Sequence, residues 1–345
     1  MNPILSQLTV VIPTYNRQEF LHRQISFWGA TDCHVEILDG SEKAWGNSSV
    51  VKYPNISYNH LPVNIESRLR FVIDKIDTKY AVLLSDDEFY SISALQTCIR
   101  ELETASDLVA CKGVAIGFRY AGGEVIGSVL YPHLRGYKIE HDNPFDRIIE
   151  HMSFYQMATL WSVMKVDSFK RCLMAISSGP YSSAAVGEIA YSLTAAWLGK
   201  CKVIDELMWF RSFENKNIWN SFGHLSVEDW YTNEKFRNEV DRFLSATVAA
   251  VQVDQTTIPR LENKFEEALR TYISHIELSK RPSSKSILGK VRSFLSGSTH
   301  NRSYDINELL FRFRRAGTVV DEESCVVIIE SIRNFYQISV DQASI

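Results

Sequence analysis

Short apolar segments alternate with helix-like segments over the first 90 residues of this 345-residue chain. Runs such as LTVVI and YAVLL are rich in β-branched and large apolar residues, which is typical of strands buried on both faces. This alternation predicts an α/β fold in which helices cover both faces of a mainly parallel sheet. The predicted strands are 8–12, 35–38, 56–61 and 80–84, and the predicted helices are 19–28 and 66–77.

The rest of the chain divides into two regions by its periodicity. Strand and helix patterns continue to alternate up to residue 220, and later segments such as 261–278 and 321–338 have mostly helical periodicity. We therefore predict an α/β domain over residues 1–220 and a helical C-terminal appendage over 221–345. Further strands are predicted at 109–118, 124–130, 156–164 and 202–210, and further helices at 91–103, 143–151, 167–176 and 188–198.

The composition is that of an ordinary soluble protein, with 45% hydrophobic and 23% charged residues. A net charge of −4 argues against a nucleic-acid-binding protein, since such proteins usually carry a basic excess. The N-terminus lacks the basic region of a signal peptide, and no apolar run reaches about 18 residues, so we expect a cytoplasmic protein without a membrane span. No C-x-x-C pair is present, which favours free thiols and offers no zinc site. The six cysteines are Cys33, Cys98, Cys111, Cys172, Cys201 and Cys325.

Three polar loops follow predicted strands, at 13–17, 39–41 and 85–88. In sheets of this kind, ligands bind beyond the carboxyl ends of the strands. The three loops are far apart in the sequence, but this rule places them along one edge of the sheet.

Three successive carboxylates, Asp86, Asp87 and Glu88, come directly after a buried strand. Such a cluster is tolerated when a hard cation such as Mg²⁺ or Mn²⁺ binds among its oxygens, and that cation can also contact a diphosphate. The alternative is that Asp86 or Asp87 caps the helix predicted to begin near Ser91.

Five motifs follow one another along the chain: VVIPTYNR at 10–17, ILDGS at 37–41, NIESRLRFVIDKI at 64–76, VLLSDDEFY at 82–90 and VGEIAYSLTAAWLGK at 186–200. In this order and spacing, they resemble the motifs of the GT-A fold glycosyltransferases of the family 2 type. The resemblance implies a Rossmann-like GT-A fold and the transfer of a sugar from a nucleotide diphosphate donor.

The resemblance also implies roles for individual residues. Asp87 and Glu88 match the positions near the metal ion, so Mn²⁺ or Mg²⁺ is the expected cofactor. Asp39 matches a residue that accepts the uracil N3–H, which favours a UDP-linked donor, although Leu38 replaces a frequent second aspartate. The residues expected to bind the nucleotide are Pro13, Thr14, Tyr15, Arg17, Asp39, Arg68 and Asp86.

Glu188 matches the acidic residue that acts as general base. An inverting transfer requires a carboxylate that removes the proton of the acceptor hydroxyl during its attack on the anomeric carbon. Ile189 replaces a frequent second acid at this point, and Glu188 could instead lie in the first turn of its helix. Simpler alternatives also exist for Asp39, as a turn residue, and for Arg17, as a solvated residue at a helix start.

The expected partners are the donor and a glycan or lipid-linked glycan acceptor, in the synthesis of a bacterial surface polysaccharide. The processive signature Q-x-x-R-W is absent, which favours a single addition per acceptor. Residues 284–296 have the pattern of an amphipathic helix flanked by lysine and arginine, which predicts peripheral binding to an anionic membrane. The alternatives are a helix packed within the C-terminal region and a disordered linker. His224 could reach a metal or phosphate, or be a packed histidine. A non-catalytic sugar-nucleotide or glycan-binding protein is the alternative function.

Overall fold

The structure is a computed structural model that describes residues 3–46, 52–155, 159–214, 225–280 and 303–343. The strands in these ranges are β1 (Leu8–Thr14), β2 (His34–Asp39), β3 (Ile56–His60), β4 (Tyr80–Leu83), β5 (Phe89–Tyr90), β6 (Leu108–Ala121), β7 (Glu124–Leu130), β8 (Lys138–Ile139), β9 (Val163–Lys165), β10 (Lys200–Ser212) and β11 (Tyr304–Asp305). The α-helices are α1 (Gln18–Gly29), α2 (Ile65–Ile73), α3 (Ile92–Thr104), α4 (Pro144–Ser153), α5 (Val166–Ile176), α6 (Ala184–Leu198), α7 (Val227–Thr232), α8 (Arg237–Val251), α9 (Ile258–Lys280), α10 (Ile306–Arg315) and α11 (Glu322–Ala343).

The first four strands form the parallel half of the sheet, in the order β4-β1-β2-β3. Val10 of β1 lies beside Val35 on one side and Val82 on the other. Successive residues of β1 enter different cores, with Val10 in one cluster and Val11 in another, because side chains alternate between the faces of a strand. The α/β fold class predicted from the alternating pattern is confirmed.

The second half makes the complete sheet mixed. β6 pairs antiparallel with β7 and β9, whereas the long strand β10 runs parallel to β6 and antiparallel to β5. Since β5 directly follows the acidic residues 86–88, its pairing with β10 brings the end of β10 to the acidic loop. This contact joins residues that are more than a hundred positions apart in the sequence.

The strand predicted at 156–164 is wrong for most of the residues of this segment that the structure describes, which are 159–164. Among its described residues, Thr159–Trp161 form a 3₁₀ turn, and the strand β9 begins only at Val163. The Ser162 backbone N–H donates to the Thr159 carbonyl at 3.1 Å, and this turn bond ends the extended conformation. The apolar side chain of Leu160 is buried in the core without belonging to a strand.

The C-terminal helices pack on two different parts of the α/β core. The α9 helix lies against α4 and α8, and the buried aromatic residues of α7–α9 join the core under α6. The α10 and α11 helices instead cover β7, and α11 also contacts α1.

The boundary between the two regions at residue 220 stays a prediction. In the described ranges no helix is both long and apolar enough to cross a bilayer. Residues 284–296 and His224 lie outside the described residues. All six cysteines are buried free thiols, as the scattered spacing predicted.

Gly113 of β6 provides a test of this packing. A Cβ atom added at Gly113 would lie 2.6 Å from Cβ of Met208 and closer still to the Glu206 carbonyl oxygen of β10. We expect Gly113→Ala to lower the free energy of unfolding by about 1–3 kcal/mol, because the backbone of β10 must shift. Urea titration of this variant and of Gly46→Ala provides the measurement, since a Cβ at Gly46 meets no described atom within 4 Å. Equal stability of the two variants would contradict the close approach of β6 and β10.

Candidate active site

The loop after β4 buries three carboxylates at the carboxyl edge of the parallel strands. Asp86 accepts a hydrogen bond from the Thr14 hydroxyl at 2.6 Å and pairs with Nη1 of Arg17 at 2.9 Å. The other terminal nitrogen of Arg17, Nη2, donates to Asp87 at 2.5 Å. The burial of Arg17 lowers its pKa, but Asp86 and Asp87 outweigh this effect and raise it overall. The structure therefore brings the first loop and the acidic loop together, as the sequence predicted.

Glu88 turns toward β10. Its Oε2 accepts a hydrogen bond from the Trp209 indole at 2.7 Å, and its Oε1 lies 4.0 Å from Nε of Arg211. Burial, followed by the neighbouring Asp87 carboxylate, raises the pKa values of both Asp86 and Glu88 above their ordinary range. In both carboxyl groups, burial and the negative charge of Asp87 thus outweigh the stabilisation of the ionised form by the neighbouring arginines.

The donor set of the loop fits a hard divalent cation in part. Asp87 and Glu88 supply carboxylate oxygens, and the raised pKa of Glu88 indicates a site that would favour additional positive charge. Within the described ranges, no three His, Cys, Asp or Glu side chains are grouped so that they could hold a metal ion by themselves. A metal ion at this loop would therefore take its remaining ligands from water and from a bound phosphate.

Asp39 lies at the end of β2 and is fully buried. It accepts hydrogen bonds from the Ser41 backbone N–H at 2.8 Å, the Gln18 amide at 2.7 Å and the Tyr58 hydroxyl at 2.6 Å. Burial alone raises the pKa of Asp39, but these hydrogen bonds outweigh burial and hold the pKa below its ordinary value. Asp39 is thus an ionised acceptor at the strand edge, with a structural role in the turn as well.

Arg68 is buried beneath the same loops. Its Nη1 donates to the backbone carbonyls of Thr14 at 2.5 Å and Leu38 at 2.9 Å, and burial lowers its pKa. These bonds tie the ends of β1 and β2 together. Arg70 points away from these loops and donates to the Ser177 carbonyl at 3.0 Å.

Tyr15 is the exposed member of the first loop. Its side chain is 56% exposed, whereas Thr14 before it and Arg17 after it are buried, and Pro13 is half-buried. Asn16 has a positive φ of 53°, which turns the chain between Tyr15 and α1. An exposed aromatic ring at this edge is placed for stacking on a planar ligand.

Glu188 lies in the second turn of α6. The helix begins at Ala184, four residues before the predicted start, so the alternative of a first-turn residue does not apply. Glu188 is half-buried, and its burial raises the pKa to about 7, while the positive charge of Arg211 opposes the shift. Because Arg211 also lies beside Glu88, it is the positively charged residue that the candidate base and the acidic loop share.

Sequence reasoning did not identify Trp209, Arg211 and Arg23 as site residues, and it assigned Tyr131 to a possible acceptor region, 131–137, without a role. Tyr131 has a positive φ of 46°, stacks on Trp209 with ring centroids 5.9 Å apart, and accepts a hydrogen bond from Arg211. A non-glycine residue with this backbone conformation is strained, and strain of this kind concentrates at functional sites. The only sequence signal for Arg23 is a charged residue in the run FLHRQISFW, among the buried apolar residues of α1.

No protein-family model matches the chain, and no curated protein sequence matches it. Solved structures of residues 1–349 of TarS from S. aureus are similar to it in fold. The structure without a named ligand has 13% identity and a TM-score of 0.52, covering 97% of this chain and 91% of that chain.

The liganded structures of the same TarS fragment are similar to the same degree. The complex with UDP-GlcNAc has 12% identity and a TM-score of 0.54, covering 97% of this chain and 92% of that chain. The complex with UDP has 12% identity and a TM-score of 0.50, covering 97% and 91%. This likeness over nearly the whole chain confirms the GT-A fold that the motifs predicted.

Proposed function

We propose that the protein is an inverting, metal-dependent glycosyltransferase that takes its sugar from a nucleotide diphosphate donor, with UDP as the nucleotide. The observation that carries this proposal is a buried acidic loop at the carboxyl edge of the sheet whose Glu88 lies 4.0 Å from Arg211. The charge of the same Arg211 lowers the pKa of the half-buried Glu188. The TarS structures of the same fold bind UDP-GlcNAc and UDP, which supports a UDP-linked donor.

The nucleotide part of the donor is assigned to the loops after β1 and β2. Tyr15 provides an exposed ring for the base, and the ionised Asp39 provides an acceptor at the same edge. Asp86 is assigned to the ribose. Arg68 supports these loops from below through the carbonyls of Thr14 and Leu38.

Asp87 and Glu88 are the residues that would hold Mn²⁺ or Mg²⁺. When bound, such an ion supplies positive charge that stabilises a diphosphate leaving group. The protein contributes the carboxylates, together with Arg17, which fixes Asp87, and Trp209, which fixes Glu88.

Glu188 is assigned as the general base. Its carboxylate accepts the proton of the acceptor hydroxyl while that oxygen forms the new bond to the anomeric carbon. The bond from the anomeric carbon to the diphosphate oxygen breaks, and the electron pair leaves with the nucleoside diphosphate. Attack from the face opposite the leaving group inverts the anomeric configuration.

The acceptor is proposed to be a glycan or a lipid-linked glycan of a bacterial surface polysaccharide, with residues 284–296 providing peripheral contact with the inner face of the membrane. Deletion of 283–297 tests the membrane contact by co-sedimentation with vesicles containing an anionic lipid. Unchanged sedimentation after the deletion would reject that part of the proposal.

A donor screen tests the function itself. The purified chain is incubated with UDP-GlcNAc, UDP-glucose, UDP-galactose and GDP-mannose, with Mn²⁺, Mg²⁺ or EDTA, and nucleotide release and thermal midpoint are measured. We expect a UDP-sugar to raise the midpoint with metal and to be hydrolysed slowly without an acceptor. Binding without any hydrolysis or transfer would favour the non-catalytic alternative, and binding of none of the donors would reject both.

The pH dependence of transfer follows from the raised pKa of Glu188. A general base acts in its ionised form, so kcat/KM should fall tenfold per pH unit below a midpoint near pH 7, where an ordinary glutamate would give a midpoint near 4.5. Arg211 lowers the pKa of Glu188, so Arg211→Gln should move the midpoint to higher pH. A midpoint near 4.5 would contradict the assignment of Glu188 as the base.

A further inference from the structure

Arg23 of α1 lies behind the acidic loop, and the proposed chemistry does not use it. It is 4% exposed, and its Nη2 donates to the Asp87 backbone carbonyl at 2.6 Å. The same nitrogen pairs with the Glu214 carboxylate at 2.9 Å. Arg23 therefore connects the backbone of a proposed metal-binding residue to the chain that follows β10.

Four phenylalanine rings surround the guanidinium of Arg23. Its central carbon lies 4.8 Å from the ring centroid of Phe20, 5.0 Å from Phe335, 5.3 Å from Phe89 and 6.0 Å from Phe118. Nε and Nη1 of Arg23 are buried and have no hydrogen-bond partner among the described residues. The faces of the aromatic rings therefore stabilise this cation where Nε and Nη1 make no hydrogen bonds to the described residues. The ammonium group of a lysine would fit the flat space between these rings less well than the planar guanidinium of arginine does.

The C-terminal helix α11 completes this arrangement. Phe335 of α11 stacks on Phe20 with ring centroids 5.2 Å apart. The next residue, Tyr336, stacks on Tyr120 of β6 at 4.4 Å with an interplanar angle of 3°. Burial, followed by the nearby Glu214 carboxylate, raises the pKa of the Tyr336 hydroxyl. The α11 helix thus packs the Phe335 ring against Arg23 and places Tyr336 near Glu214, the other member of the ion pair behind the acidic loop.

We propose that Arg23 is a positioning residue through which α11 fixes the acidic loop for donor binding. This inference rests on the proposed function and extends it, because it makes the C-terminal helix a required part of the nucleotide-diphosphate site. Phe335 limits the movement of Arg23, Arg23 holds the Asp87 carbonyl, and this bond sets where the Asp87 carboxylate points. Removal of the Phe335 ring should therefore weaken donor binding, although no residue that touches the donor is changed.

The test uses full-length protein with UDP and Mn²⁺ as the probe. The variants are Phe335→Leu, which removes the ring, Phe335→Tyr, which keeps it, and Arg23→Lys, which keeps the charge but loses the planar group. Phe311→Leu is the matched control, since Phe311 lies on α10 and is exposed. Calorimetric titration gives the Kd for UDP, and deuterium uptake measures the protection of the amides of residues 85–90.

We expect Phe335→Leu and Arg23→Lys to weaken UDP binding by about three- to tenfold and to increase deuterium uptake in the acidic loop. Phe335→Tyr and Phe311→Leu should bind UDP as the wild type does. A lower thermal midpoint for Phe335→Leu with unchanged Kd and unchanged loop protection would show a merely structural role and overturn the inference. Failure of the wild type to bind UDP would reject the proposed function and this inference together. Normal UDP binding by the wild type and by Phe335→Leu would reject this inference alone, so the two failures are distinguishable.

Discussion

Replacing Glu188 with glutamine is expected to leave UDP-sugar binding within about twofold of wild type and to lower the rate of transfer by about 10²–10⁴-fold. The amide has nearly the same shape as the carboxylate but cannot accept the acceptor proton. Glu188 makes no described hydrogen bond or ion pair that the substitution would break, although the charge of Arg211 influences its pKa. The substitution therefore isolates the proton transfer from the packing of α6.

Single-turnover kinetics measure the rate of transfer, and titration with the UDP-sugar measures the affinity for the donor. Glu267→Gln is the matched control, because Glu267 is exposed on α9 and pairs with Lys264 on its own helix. The pH dependence provides a second criterion: the residual activity of Glu188→Gln should lose the acid limb near pH 7. Full transfer activity in Glu188→Gln would discard Glu188 as the base while leaving the donor site unaffected.

The parallel half of the fold could be predicted because its signals are local. Residues 8–12 and 80–84 are continuous apolar runs, and the polar residues that follow them mark the strand ends. Once these strands are parallel and adjacent, their loops must meet at one edge, which is why Thr14, Arg17 and Asp86 are found in contact.

The predicted start of α6 at residue 188, directly after Gly187, is wrong, because the helix begins at Ala184. In the structure, Gly187 lies inside the helix, where a Cβ atom would be 3.0 Å from Cγ1 of Ile176. The glycine thus serves the close packing of α6 on α5 and does not end the helix. A helix boundary set by contact with another helix cannot be read from the local sequence.

The β10 side of the site could not be predicted because it depends on long-range register. Trp209 reaches Glu88 only because β10 pairs with β5 at Phe210 and Phe89, across 121 residues of sequence. A shift of one residue in this pairing would turn Trp209 to the other face of the sheet. Arg23 was missed for a related reason, since its aromatic surroundings come from α1, β5, β6 and α11.

Asp87→Asn is expected to weaken metal-dependent UDP binding by more than about 100-fold, which exceeds the losses typical when a residue that only orients a metal ligand is changed. The substitution removes a negative charge from the loop and replaces the Oδ2 that accepts from Arg17 Nη2 at 2.5 Å. The backbone bond from Arg23 to the Asp87 carbonyl is retained, so the loop keeps its support from behind. The expected loss of UDP affinity would therefore come from the missing carboxylate and not from a displaced loop.

Titration of UDP with Mn²⁺ and with EDTA distinguishes the metal contribution from direct contacts. Wild type should bind UDP much more tightly with Mn²⁺, whereas Asp87→Asn should bind with the same weak affinity in both conditions. Asp241→Asn provides the control, because Asp241 is exposed on α8 and pairs with Arg237 at 3.1 Å. Removal of one charge from the loop should also lower the raised pKa of Glu88, since Asp87 is the second contribution to that shift after burial. Equal, metal-independent binding in wild type and variant would mean that Arg17, Arg23 and Arg211 neutralise the loop without an ion, and the metal would have no place in this site.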